Sequence, residues 1–535
     1  MRRQLPPVLE DLVEDRAALS ILVAAGLSMG AAGLNPQVLS PALQSVQSAI
    51  REQPQLNTLV LVATLAAAGL LFVGGVLGDT NGRRWLLLGA LAVLAGANVV
   101  ALGFGDGLLF TATRIAAAAA AYAVLPFSLA LVATTYRGVA RATAIGIVYA
   151  AYGGGTAAAP VLLTILGPTG PWWPGFLVGA IAAGIALWWA WKRVPDLPAI
   201  ARTNRSFVIS TAVWAFAIVL ITAGVVDLGN RVASPIRLSL IGAGFAMLAG
   251  YAIWNRSRRP DQAAAGRVLR RPVTVAIAVG VVIGLAQAAP LFQLPLFLRA
   301  VLGYGVVLAT IAIVPFVIAL VIAGPIAGAL ISRFRPRDLV AGGLAAVGLG
   351  NVLAALVLAR DTPYLSLILP LALIGAGFVV ATTVRTAIIF ASVSRGLPAT
   401  AGALNEASIL VGSRIGLAAL TALITQRALD VYGSSLGGLD PAQHESAVAA
   451  FRDVLVTLGS TGMQQALGLI DPSDLAAYGS AFIEASREGL LGTGLIALIA
   501  TPIVWLALGR HDPLTTVWDH AEEREPAEER ASAGA

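Results

Sequence analysis

A chain of 535 residues that is 58% hydrophobic and 12% charged cannot cover its surface with polar groups in water, so a soluble multi-domain protein is excluded. The net charge of +7 rests mainly on arginines in short loops, which points to membrane topology and anionic lipid contact and away from nucleic acid. Cysteine is absent and the three histidines do not cluster, which excludes disulfides and thiolate chemistry and argues against a metal site.

Fourteen apolar runs are long enough to cross a bilayer as helices, at roughly 20 residues per crossing. They fall at 17–39, 56–77, 86–104, 108–134, 142–166, 172–191, 207–226, 236–254, 273–298, 306–331, 339–358, 364–390, 399–425 and 490–508. The runs are continuous rather than alternating, unlike the strands of a transmembrane barrel. The fold class expected is an all-α polytopic membrane protein. With the N-terminus inside, the short outer loops hold only Arg51, Arg231, Arg237, Arg299 and Arg360, while Lys192 and most of the other loop arginines lie in inner loops and ends. That asymmetry predicts an N-in, C-in chain with an even number of spans.

In chain order, segment 1–16 is polar and acidic, so the first span itself is expected to target the chain. Span 1 holds Asn35 before Pro36. Between spans 2 and 3, Gly75, Asp79, Gly82, Arg83 and Arg84 form a charged turn. Its carboxylate can accept hydrogen bonds from a neighbouring helix N-terminus or pair with arginine, and its glycines permit close approach and a sharp turn. The bland alternative is that the two arginines only set orientation. Span 4 buries Arg114, which either faces an internal cavity or is a structural arginine satisfied by carbonyls. Span 5 carries Gly146, Gly155 and Pro160, expected to bend or thin the helix, and its Tyr149 and Tyr152, with Asn35 of span 1 and Asn405 of span 13, are candidates for a substrate cavity.

Loop 255–271 is basic and lies where a linker between two halves would fall. After span 10, Gly328, Ser332, Arg333 and Arg337 echo the turn after span 2, as expected of a transporter with two related halves. Span 12 buries Arg385. Span 13 buries Asn405, Glu406 and Arg414, and Glu406 is a carboxylate well inside a span. A buried carboxylate that a proton can neutralise is a candidate coupling group; the alternative is a fixed partner of Arg385 or Arg414. Arg414 lies about 12 Å further along the helix, too far for direct pairing. Segment 426–488 reads as a long outer loop with a surface helix at its amphipathic piece 442–458 and another starting at Asp471-Pro-Ser, and 510–535 as a polar tail.

The spacing Gly75, Asp79, Gly82, Arg83, Arg84 resembles the cytoplasmic signature of the major facilitator superfamily, with Thr80 where a basic residue is common. Arg114 with Pro126 resembles that family's span-4 motif. Gly146, Gly155 and Ala159-Pro160 are similar to its antiporter motif. Gly402, Asn405, Ser408, Gly412, Gly416 and Ala418 look like span 13 of its fourteen-span drug–proton antiporter branch.

The resemblance implies two six-helix bundles, 17–191 and 272–509, with two inserted spans and a basic linker at 192–271 between them, flanked by a cytoplasmic N-terminus 1–16 and tail 510–535. It implies proton-coupled efflux of amphipathic drug-like or hydrophobic compounds across the inner (plasma) membrane by a monomer. Small-molecule substrate, protons and membrane lipids would be its partners, and no cofactor or nucleic acid is expected. Asn35 stands where that branch commonly carries an acid, so coupling must use another group or be absent. The alternatives are an exporter of a lipid or dedicated endogenous metabolite, and a non-transporting membrane scaffold or sensor. A phosphate-binding loop is missing and Lys192 is the single lysine, which argues against an ATP-driven pump.

Overall fold

The computed structural model describes residues 15–49, 82–103, 107–166, 173–196, 235–256, 271–393, 397–436, 440–460 and 475–509, with separate positions at 69, 71, 74, 75, 77–80, 213, 216, 217, 219–221, 223 and 224. Most of spans 2 and 7, loop 257–270, segment 1–14 and the tail from 510 lie outside the described residues. The described residues are all-helical, and nine of their helices are long and apolar enough to cross a membrane.

The helices are α1 (Arg16–Ala49), α2 (Arg83–Gly103), α3 (Gly107–Thr135), α4 (Gly138–Leu166), α5 (Pro174–Arg193) and α6 (Pro235–Arg256). Then come α7 (Arg271–Ala288), α8 (Leu294–Ala300), α9 (Val306–Ile311), α10 (Val314–Leu330), α11 (Pro336–Val357), α12 (Tyr364–Ser392), α13 (Pro398–Ser435), α14 (Pro441–Ser460) and α15 (Leu475–Leu508). Proline opens α5, α11 and α13 in their first turn, where its fixed φ suits a helix and its missing N–H costs nothing.

Two expected spans are interrupted. The run 273–298 passes through a π-turn, Ala289–Gln293, that contains Pro290. The run 306–331 breaks at Ala312 and Ile313, just before Pro315 at the start of α10. Counting apolar length cannot see either break, because proline is tolerated in the count but not in the hydrogen-bond ladder.

Segment 426–488 differs more from its expected loop. Helix α13 continues to Ser435 and α15 starts at Leu475, so much of that segment is helical. The amphipathic piece does form a helix, α14. Tyr432, Phe451 and Tyr478, one from each of α13, α14 and α15, pack with ring centroids 4.3–5.0 Å apart. Arg427 grips both oxygens of Glu488 at 2.9 and 2.7 Å, tying α13 to α15. At about 57 Å, α13 exceeds the roughly 30 Å hydrocarbon thickness, so a hydrocarbon layer can cover only part of it.

Two groups of helices pack internally. In one, α1 lies on α3, α4 and α5, and α2 on α3 and α5. In the other, α7, α10, α11, α12, α13 and α15 pack together. The groups meet where α4 crosses α10 and α12, and where α3 crosses α13. Lipid offers no hydrophobic gain to helix association, so close approach must come from small residues. Gly146 of α4 touches Gly324 of α10 so closely that a Cβ on Gly146 would strike the Gly324 carbonyl oxygen. At Gly402 of α13 a Cβ would lie 2.9 Å from the Pro126 carbonyl oxygen of α3.

The sequence echo has a structural counterpart. Arg84 donates to Asp196 at 2.7 Å and to the Trp191 carbonyl at 3.0 Å, at the end of α5. Arg337 donates to the Gly509 carbonyl at 3.2 Å and lies 4.4 Å over the Trp505 ring, at the end of α15. In each group the arginine after the turn clasps the C-terminus of a late helix of that group, where the helix dipole favours a cation.

Candidate functional site

Two polar constellations lie on the contact between the groups, and α13 carries half of each. At its N-terminus, Pro398 has no N–H and Leu397 offers no side-chain cap. The cap comes from the other group. Asp79 Oδ1 accepts from the Ala399 N–H at 2.9 Å, and Oδ2 accepts from the Thr400 N–H and hydroxyl at 2.8 Å each. Arg83 stands 3.7 Å from the same carboxylate and donates to Thr134 Oγ1 on α3 at 3.4 Å. Burial pushes the Asp79 carboxyl up from the usual range, and the hydrogen bonds and Arg83 pull it back.

The glycines around Asp79 make room for this. Gly75 sits against α13, where a Cβ would come within 2.7 Å of Ala403 Cβ and 2.9 Å of the Ala399 oxygen. Gly82 has φ +94°, which lets the chain reverse into α2. Asp79 thus satisfies orphan donors at a helix N-terminus and puts a negative charge at its positive end.

The second constellation is deeper. Glu406 and Asn405 are buried on α13, Arg385 and Thr386 on α12, and Tyr149 on α4. Tyr149 Oη donates to Glu406 Oε1 at 2.6 Å. The Asn405 amide donates to Tyr149 Oη at 2.8 Å and to Glu406 Oε1 at 2.9 Å, while its Oδ1 accepts from Thr386 at 2.9 Å. Arg385 is wholly buried and donates to the Ala276 carbonyl of α7 at 3.3 Å, to Ser408 Oγ at 3.0 Å and to the Asn405 carbonyl at 3.1 Å. Gly280 of α7 leaves the space the guanidinium fills, since a Cβ there would lie 2.5 Å from an Arg385 nitrogen.

Sequence-selected residues divide accordingly. Tyr149, Asn405, Glu406 and Arg385 come together. Tyr149 and Asn405, expected as cavity lining, are members of this polar network. Arg114 does not join it. Its guanidinium donates to Asn98 Oδ1 at 3.1 Å and to the Ala97 carbonyl at 2.8 Å on α2, and packs 4.4 Å from the Phe176 ring of α5. A buried arginine has two solutions, a cavity or a set of carbonyls, and here Asn98 and Ala97 supply the second. Arg414 is half-buried and its Nε has no partner.

Asn35 is buried with an unpartnered Oδ1 on α1. Tyr152 is half-buried on α4, and its carbonyl accepts from Thr156. A Cβ on Gly155 would strike the Gly30 carbonyl, so Gly155 seats α4 on α1. Pro160 lies within α4, but its side chain is outside the described residues.

Thr386, Thr400 and Asn98 are functional neighbours that the sequence did not single out. Asn98, a polar residue within an apolar run, carried a usable signal. Thr386 carried none, because hydroxyls in spans usually bond their own helix.

A family model described as Major Facilitator Superfamily matches residues 21–417. The chain is 25% identical over 511 residues to a triacylglyceride transporter of Mycolicibacterium smegmatis, covering 91% of this chain and 84% of that protein. It is 30% identical over 408 residues to the puromycin resistance protein pur8 of Streptomyces alboniger, covering 73% and 79%. The solved structure of the proton:xylose symporter XylE, bound to 6-bromo-6-deoxy-D-glucose, matches with a TM-score of 0.56 at 14% identity over 94% of this chain and 98% of that one. At that identity the likeness speaks for the fold alone.

Proposed function

This chain belongs to the major facilitator superfamily, and from that premise we propose that it is a transporter and not an enzyme, one that exports amphipathic or hydrophobic small molecules in exchange for protons. The single observation carrying the reading is Glu406, a buried carboxylate hydrogen-bonded by Tyr149 across the contact between the two helix groups. An ionisable group held there can take up or release a proton as the groups part.

In this reading the chain has fourteen spans with both termini inside the plasma membrane. Bundles 17–191 and 272–509 flank the inserted spans of 192–271 and rock about a midplane site. Asp79 with the α13 N-terminus is the inner gate, supported by its three hydrogen bonds to Ala399 and Thr400. Arg114, Arg385 and Arg414 then leave proton transfer to Glu406. Arg385 supplies its neutralising charge and Arg114 holds α2, α3 and α5 together.

Similarity to the puromycin resistance protein supports drug-like cargo. A second reading, lipid export by the same machinery, is favoured by similarity to the triacylglyceride transporter over 91% of the chain. Inverted vesicles given puromycin or a fluorescent triacylglyceride, with and without a proton gradient, test both. Gradient-dependent accumulation of puromycin supports the first, and of the lipid the second. Flux indifferent to collapse of the gradient sinks proton coupling, and no flux of any cargo sinks transport.

A further inference from the structure

Tyr149 on α4 reaches Glu406 on α13 across the contact between the helix groups. We infer that its hydroxyl and the Glu406 carboxylate form a second tie between the helix groups, operated by the proton and acting in series with the Asp79 cap on the same helix. The inference rests on the reading that Glu406 is the coupling group.

The geometry fits an ionised carboxylate. Tyr149 Oη stands 2.6 Å from Glu406 Oε1, within the roughly 2.5–2.7 Å of an O–H···O⁻ bond. Oε1 receives a second donor from Asn405 at 2.9 Å and needs no hydrogen of its own. The Asn405 amide nitrogen also lies 2.8 Å from Tyr149 Oη, and its oxygen lies 2.9 Å from Thr386 Oγ1, whose hydroxyl faces the Thr382 carbonyl at 2.6 Å as well. A proton on Glu406 turns a charge-assisted bond into a neutral one of about half the strength. The tie between α4 and α13 then weakens without any change in packing.

Its position matters. Glu406 lies six residues beyond Thr400, about 9 Å along α13, so both ties restrain one helix against the other group. Gly402, pressed on Pro126, lies between them. The charged and titratable groups facing Glu406 come from three helices. Arg385 of α12 is locked to α7 and α13, which keeps it within its own group. Tyr149 and Tyr152 of α4 face it from the other group, and Tyr122 of α3 stands beside Tyr152. Tyr149 alone of these is hydrogen-bonded to the carboxylate from across the contact. Its charge-dependent bond therefore reports the proton to the gate.

The chain has no cysteine, so labels can be placed freely. Spin labels at Lys192→Cys and Arg333→Cys, exposed on the two groups, report their separation by pulsed electron resonance. Wild type is expected to show a widened population that grows as pH falls through the midpoint of its flux. Glu406→Gln should show that population at every pH. Tyr149→Phe keeps the ring in place, and should raise the widened population roughly tenfold at high pH and lose the pH response.

Asn405→Ser, which removes the amide serving both atoms, should move in the same direction and covers the case in which Tyr149→Phe does not elute as folded protein. A wild-type pH response in Tyr149→Phe, or in Asn405→Ser should the first not fold, beside a flat response in Glu406→Gln, overturns the tie and leaves the coupling reading standing. A wild-type response in Glu406→Gln overturns the coupling reading itself.

Discussion

At Asp79 one carboxylate holds two backbone N–H groups and a hydroxyl of α13 at 2.8–2.9 Å. Asp79→Asn retains a capping oxygen but loses the charge at the helix N-terminus and the attraction to Arg83. The expected loss is about 1–2 kcal/mol of closed-state stability. Maximal transport rate should fall while substrate affinity stays near wild type, and unchanged turnover would deny Asp79 a gating part. Arg114 gives the opposite expectation. Its bonds run to Asn98 and Ala97 inside one helix group, so Arg114→Ala should lower thermal stability by about 2–4 kcal/mol while the folded fraction keeps pH-dependent flux. Loss of pH dependence at full stability would return Arg114 to the coupling path.

At the scale of elements, α13 and α4 carry the contact between the groups, α13 against α3 and α4 against α10 and α12. Helix α13 borrows its cap because Leu397 cannot supply one, so Leu397→Ser gives it a cap of its own and makes the Asp79 contact partly redundant. The expected outcome is a wider inner face in spin-label distances, by an amount comparable to one cap, about 1 kcal/mol. A narrower face would contradict the borrowed cap. On the neighbouring contact, Gly146→Val places a branched side chain against the Gly324 backbone. That overpacking of about 1–3 kcal/mol should hold α4 off α10 and slow transport roughly tenfold. Wild-type rates in Gly146→Val would mean that these helices never close as tightly as described.

Helix positions show what a single sequence can carry. The spacing of Gly75, Asp79 and Gly82 already contained a capping carboxylate in a tight turn, so its chemistry was legible although its partner was not. The bond from Tyr149 to Glu406 was not legible, because the two stand 257 residues apart and neither constrains the other locally. Arg114 was ambiguous for a physical reason, since a cavity and a ring of carbonyls both satisfy a buried guanidinium. The head formed by α13, α14 and α15 was half legible: period alone placed α14, but hydropathy stopped α13 and α15 at the edge of the apolar layer. Aromatic contacts among Tyr432, Phe451 and Tyr478 hold their further turns together.

At the scale of the whole molecule, we propose that the two helix groups are held along one contact by two ties, the Asp79 cap and a Tyr149–Glu406 bond that a proton loosens. Reconstituted vesicles carrying wild type or Glu406→Gln, loaded with whichever cargo shows flux, test that account most directly through uptake driven by an imposed pH gradient. The account predicts that wild type concentrates the cargo until the gradient is collapsed, whereas Glu406→Gln equilibrates it without concentrating it. Concentration by Glu406→Gln to the wild-type level would contradict it.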